Sequence, residues 1–322
     1  MDGEVSTIPE DFADAVRYEI THETRYEYSA PVVHGHHLLH LTPRDHAWQH
    51  TLQHEVQLLP RPSAARIKLD RDAFGNAVQR VELDRPHQDL SFVAHSQLLI
   101  KPRAELDAQA SLSWERVRDD LSYCSRPRTQ HELEVIGYRF ESPHVRLKNV
   151  FSDYAEECFP HGRPILVGAE ALMQKLYRDL TYTPGVTDIN TSLLAVLETR
   201  RGVCQDYAHL MLACLRSLGL AARYVSGYLR TLPPEGGVRL VGADASHAWV
   251  SVYTAPYGWV DLDPTNGIRV NTDHLTLGWG RDFSDVSPVR GVIIGGGQHT
   301  VSVAVTVTPL DAIDAISGSI AE

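Results

Sequence analysis

Arg201-Gly202-Val203-Cys204-Gln205-Asp206-Tyr207-Ala208-His209 is the stretch on which the fold turns. From it onward, positions 207, 210, 211, 214, 215 and 218 are apolar. That is the 3.6-residue period of an amphipathic helix over about 204–218. Gly219 stands where such a helix normally ends. The cysteine therefore falls at the first turn, beside unpaired backbone N–H groups and the positive end of the helix dipole. Both favour a thiolate over a thiol. Gly202 lets the chain turn sharply into the helix and leaves room for a ligand. A lone cysteine is most often a small buried hydrophobe, so its meaning depends on partners.

A hairpin supplies them. Residues 247–254 and 258–263 read as strands around Ala255-Pro256-Tyr257. A turn centred near residue 255 sets His247 opposite Asp263, with Cβ atoms roughly 5 Å apart. A carboxylate there fixes the imidazole tautomer and stabilises imidazolium. With Cys204 brought in by the helix, the set has nucleophile, base and orienter roles.

These residues carry a family resemblance. Gly202 to His209, Ala222-Arg223-Tyr224-Val225-Ser226-Gly227-Tyr228, His247-Ala248-Trp249 and Gly258-Trp259-Val260-Asp261-Leu262-Asp263-Pro264-Thr265 resemble the blocks of the transglutaminase-like superfamily, in its Cys, His, Asp order. Residues 280–291 resemble the segment that follows in the bacterial branch. Tyr18 to His22, Leu41-Thr42-Pro43-Arg44 and Asp72-Ala73-Phe74-Gly75-Asn76 resemble that branch's N-terminal β domain. The resemblance implies thiol-mediated acyl transfer or hydrolysis on an amide. Cys204 is then the nucleophile, His247 the base and Asp263 the orienter. The Cys204 backbone N–H is the first oxyanion donor. Animal members carry an upstream tryptophan that helps hold the oxyanion. Here no tryptophan lies between Trp114 and Trp249, and Tyr182 is the candidate in its place. Arg281 and Asp282, just after the hairpin, are candidate substrate-cleft residues. There is no EF-hand-like acidic loop, so neither calcium nor another cofactor is expected.

The implied fold is α+β: an N-terminal β-sandwich-like domain, then a papain-like core of helices and antiparallel sheet. The chain of 322 residues suits two domains. Residues 1–105 read as short strands with turn signals. Pro31 is expected to end the first of them. Residues 106–160 read as a connector and 161–322 as the catalytic domain. Within the latter, helices are expected over 165–180 and 191–199, the second capped by Asn190 or Thr191. Val292–Ile294 and Thr300–Thr308 are expected to add strands to the core.

With 30 basic and 41 acidic residues the formal charge is −11, which disfavours nucleic acid as a partner. No apolar run approaches the roughly 20 residues that span a bilayer. The acidic start Met1-Asp2-Gly3-Glu4 does not resemble a signal peptide. The four cysteines have no framework spacing, so reduced thiols in the cytoplasm are expected. The expected partners are a peptide or amide substrate and an amine acceptor if the reaction is transfer. The alternative is a binding module on the same fold. His34-Gly35-His36-His37-Leu38-Leu39-His40 places His34 and His36 on one strand face, but no Cys, Asp or Glu completes a ligand shell within the run. No metal site is therefore expected.

Overall fold

The computed structural model describes residues 9–61, 67–122, 127–189, 191–231 and 245–310. The architecture is α+β, with an N-terminal β domain followed by helices on a second antiparallel sheet.

One strand organises the first sheet. β1 (Val16–Leu39) runs for 24 residues, and Tyr18, Ile20, His22 and Thr24 alternate into the interior. Four strands follow: β2 (Gln49–Leu59), β3 (Ile67–Arg71), β4 (Ala77–Leu83) and β5 (His87–Ile100). Their spatial order is β2-β5-β1-β4-β3. Pro31 does not stop β1. The ladder to β5 is irregular between Glu27 and Val32, so the missing N–H falls where regular pairing is already broken.

The expected connector is structural. Residues 106–160 hold α1 (Trp114–Asp120), α2 (Gln130–Gly137) and α3 (Asn149–Ala155). Val117, Leu121, Val135 and Phe151 are buried in the core of the helical layer. Pro127 and Pro143 fall between these helices.

Then come α4 (Ile165–Asp179), the two-residue strand β6 (Thr181–Tyr182) and α5 (Leu193–Thr199). Ser192 caps α5, its hydroxyl accepting the Ala195 N–H at 3.2 Å. Thr191 is thus not the cap, and Asn190 lies outside the described residues. β7 (Arg201–Gly202) pairs in parallel with β6 and leads into α6 (Cys204–Ser217). Every residue of α6 from Asp206 to Arg216 is buried. Gly219 follows at φ 80°, as a helix stop requires.

The second sheet contains β8 (Ala222–Leu229), β9 (Ala245–Thr254), β10 (Gly258–Asp263), β11 (Ile268–Arg269) and β12 (His274–Gly280), in the order β11-β10-β9-β8-β12. After the short α7 (Phe283–Val286), the chain returns to the first sheet. β13 (Val289–Gly295) and β14 (His299–Pro309) run end to end, antiparallel to β1, from Leu39↔Val289 to Tyr18↔Pro309. Gly295, Gly296 and Gly297, all at positive φ, carry the chain past the Pro31 irregularity. This corrects the expectation that these strands extend the core sheet. Alternation marks a strand but not the sheet it joins. The segment 161–322 thus contributes to both sheets.

Two devices lock the lobes together. Tyr18, Ile20, Leu98 and Val307 pack against Tyr228, Leu275 and Leu277. Beyond them, side-chain amides clasp the outer edge of β12. Gln49 Nε2 donates to Thr276 O at 2.7 Å, and Thr276 N donates to Gln49 Oε1 at 2.7 Å. Asn76 repeats the pattern at Trp279, donating at 2.8 Å and accepting at 3.1 Å. The Asp72–Asn76 turn is therefore more than punctuation. Asp72 accepts the Phe74 and Asn76 N–H groups at 2.8 Å each and fixes the amide that reaches Trp279. Asn76→Ala leaves the half-buried Trp279 N–H and carbonyl without these partners, so urea unfolding should show a loss of about 1–3 kcal/mol.

Candidate active site

Gly202 has a steric reason. A Cβ there would lie 2.7 Å from both Cβ and Oδ2 of Asp206. That carboxylate accepts the Val203 N–H at 2.8 Å and the Thr187 hydroxyl at 2.7 Å. It closes the start of α6 and ties the preceding loop to it. Gly202→Ala forces this contact apart and should lower stability by about 1–3 kcal/mol in thermal melts.

The α6 start presents Cys204 partly exposed, its Sγ 4.0 Å from the Ser246 carbonyl oxygen. Cys158 and Cys214 are buried, and burial pushes both thiols up. Cys124 lies outside the described residues.

His247, next to Ser246, is buried on β9. Its Nε2 is 2.7 Å from Oδ2 of the fully buried Asp263. With Nε2 so engaged, Nδ1 is the nitrogen left for Cys204, whose thiol is one of the groups that raise this imidazole. The hairpin register is two residues from the expected one. Gly258 pairs with Thr254 and Leu262 with Val250, so the turn centres on Pro256. An even offset keeps side chains on the same face of the pleat, and the two groups still meet.

Asp263 is saturated with donors. Oδ1 accepts the N–H groups of Thr265 at 2.9 Å and Asn266 at 3.2 Å. Oδ2 faces His247, His274 Nε2 at 3.1 Å and the Asn266 amide at 2.6 Å. His247, Asp263 and His274 are close enough to ligate a metal, but these contacts are hydrogen bonds that already fill the carboxylate. His274 is held from its other side by Asn271 at 3.0 Å. Trp249 packs on both imidazoles, its ring 5.4 Å from His274 and 6.2 Å from His247. Gly227 makes room for it: a Cβ would lie 2.1 Å from Leu275 O and 2.5 Å from the indole.

Burial alone would lower the His247 pKa. The bond to Asp263 and the neighbouring Cys204 outweigh it and carry the imidazole to about 10. Burial would raise Asp263, yet His247, His274 and Asn266 hold it well below the usual carboxylate range. These are two sides of one ion pair. The raised imidazole stabilises the fold fully below its ordinary value of 6.5 and loses that effect as pH rises through about 10. The depressed carboxylate contributes above its ordinary value of 3.8 and loses that effect under acid. Both contributions coexist across neutral pH.

Tyr182 is half exposed and pairs with Gly202 across the β6–β7 bridge. Burial raises its hydroxyl, and Cys204 raises it further. The same two causes act on buried Tyr224. Two phenols therefore stand near the sulfur, only one of them anticipated. Arg281 and Asp282 behave otherwise. Arg281 is clamped by Asp285 at 2.9 and 3.0 Å. Asp282 is fully buried and accepts the His144 N–H at 2.8 Å and the Ser284 N–H at 2.9 Å. Both help to anchor α7 and its surroundings, and Arg281 also lines a cavity with Phe74, Tyr138 and Trp279. Another cavity, of about 490 Å³, opens beside Ser246. Its walls include Thr24 and Tyr26 of β1, Val301 and Val303 of β14, and Phe283. Sequence reasoning missed this wall because it comes from the far sheet. It also missed His274, which no local motif marks. Asn266 was accessible from the Asp-Pro-Thr-Asn turn chemistry.

The chain belongs to the transglutaminase-like superfamily. Residues 18–98 match the bacterial transglutaminase-like N-terminal region, and residues 153–264 match the superfamily core. An uncharacterized protein of Mycobacterium tuberculosis is 35% identical over 303 residues, covering 92% of this chain and 93% of that one. A protein-glutamine gamma-glutamyltransferase of Pseudomonas aeruginosa is 34% identical over 108 residues, covering 33% of this chain and 16% of that one. A crystal structure from Cytophaga hutchinsonii, provisionally described as a cysteine protease, superposes with a TM-score of 0.70 at 18% identity, over 93% of this chain and 92% of that one. It shares the fold. No helix among the described residues is long and apolar enough to cross a membrane.

Proposed function

We propose that this chain is a thiol-dependent acyl-transfer enzyme acting on amide bonds, with Cys204, His247 and Asp263 as its triad. The carrying observation is the relay itself: a partly exposed thiol at a helix start that acts on an imidazole whose Nε2 sits 2.7 Å from a buried carboxylate. The Cys204 thiolate attacks the amide carbonyl carbon. The oxyanion is met by the Cys204 backbone N–H, with the Tyr182 hydroxyl as second donor. As the C–N bond breaks, His247 gives its proton to the leaving amine and a thioester remains. Water or an amine then attacks the thioester, His247 takes its proton, and the sulfur leaves.

The cavity beside Ser246 supports a peptide substrate with an uncharged side chain. Its valines and Phe283 suit an apolar group better than an ammonium. That favours water as acceptor, and so peptidase or amidase action over cross-linking. Cys158, Cys204 and Cys214 are free thiols, which suits a reducing compartment such as the cytoplasm.

Site-resolved iodoacetamide labelling across pH tests the relay. His247, held to about 10, is imidazolium at pH 6 to 7 and sets a positive charge beside Cys204. Labelling of Cys204 should be fast there and fall by about tenfold or more in His247→Ala. A rate that rises only near about pH 8.5, as for a free thiol, and ignores His247 would sink the proposal.

A further inference from the structure

His34 and His36 lie two residues apart on β1 and share one face of the first sheet. The run around them contains no acid, but the ladder supplies one: Glu82 of β4 pairs directly with His36. His34 Nε2 lies 2.9 Å from His36 Nε2 and 3.8 Å from Glu82 Oε1. One ligand atom from each of the three lies within 4.8 Å of the others. A tetrahedral zinc with bonds of about 2.0–2.2 Å needs ligand atoms roughly 3.3 Å apart, between the two shorter spacings. Two ring nitrogens facing each other at 2.9 Å share at most one proton between them when both rings are neutral. An ion between them uses both lone pairs.

We propose that His34, His36 and Glu82 form a binding site for a divalent transition-metal ion, with Zn²⁺ the best fit. This site is separate from the thiol relay and does not depend on the proposed activity. Two imidazoles and a carboxylate are the donor types zinc takes, and three protein ligands leave a fourth position to water. Solvent reaches the site through a surface cavity of about 490 Å³ lined by His36, Glu82, Lys68 and Arg80. The basic residues there have other partners. Lys68 and Arg80 lie 3.9 and 3.6 Å from Asp70. Arg290 donates to Ser284 O at 2.8 Å. The ion would staple β1 to β4. His37 and His40 stay out of the site. Both are buried, and His40 Nε2 lies 3.3 Å from Asp72.

The test uses tag-free, chelator-treated full-length protein titrated with zinc chloride in a calorimeter, and with cobalt(II) followed by its visible absorption. One zinc per chain should bind saturably, and cobalt should develop the absorption of a low-coordinate N/O site. His36→Gln and Glu82→Gln should each weaken zinc by about tenfold or more and bleach the cobalt signal. Both side chains reach the surface, so circular dichroism should stay native; His34→Gln is the substitute should either variant misfold. Cys204→Ala should leave binding intact. Absence of saturable binding overturns the proposal. So does binding that survives His36→Gln and Glu82→Gln together, or that is lost in Cys204→Ala.

Discussion

Cys204→Ala should reduce turnover of a responsive amide substrate by a factor on the order of 10⁴ or more while leaving the melting temperature nearly unchanged. The sulfur makes one long contact to Ser246 and is partly exposed, so its loss opens no sealed cavity. The α6 start is held by Asp206, Val203 and Thr187, none of which the change touches. The variant also alters His247. Cys204 is one of the groups that raise this imidazole, and Asp263 is the other. Without the sulfur, His247 should titrate below its present value of about 10, as followed by its ring resonances in NMR. A substrate assay unmoved by Cys204→Ala would remove the thiol from the chemistry.

Asp263→Ala should damage both stability and rate. It strips His247, His274, Asn266 and two backbone N–H groups of a buried acceptor at once. Removing one partner of a buried ion pair typically costs 3–5 kcal/mol, which denaturant titration will read. Asp263→Asn separates the effects. It keeps the volume but lacks the charge, so most of the fold should survive while the rate falls by a factor on the order of 10⁴. Imidazolium would lose its counter-charge, and the tautomer its guide. His274→Gln is the milder comparison. It removes one of several donors to Asp263 and leaves the His247 bond, so it should lower the rate far less than Asp263→Asn. Equal losses in the two variants would mean that Asp263 acts only by packing.

The local elements were the most legible. The apolar period of α6, its Gly219 stop and the hairpin all came out of spacing and turn residues. The His247–Asp263 meeting survived a two-residue register error because a strand repeats every second residue. What spacing could not reveal was which distant segments meet. Val301 and Val303 read as a strand, but nothing local says that they lie against β1 and wall a cavity beside Ser246. Arg281 and Asp282 looked like cleft residues because they follow the hairpin. Their partners, Asp285 and the His144 and Ser284 amides, were not legible from that position. Helices 114–155 were hidden by their prolines, which fall in the bends between them. His34 and His36 lacked an acid in sequence, and β4 brought Glu82 to them.

The amide clasps on β12 bear on handling. An unpaired strand edge invites pairing with another molecule. In this chain, Gln49 and Asn76 occupy the edge of β12, beside the apolar patch of Leu275 and Leu277. A core excised without the N-terminal sheet would bare both at once, so it should self-associate into aggregates rather than behave as a smaller, active version of the whole.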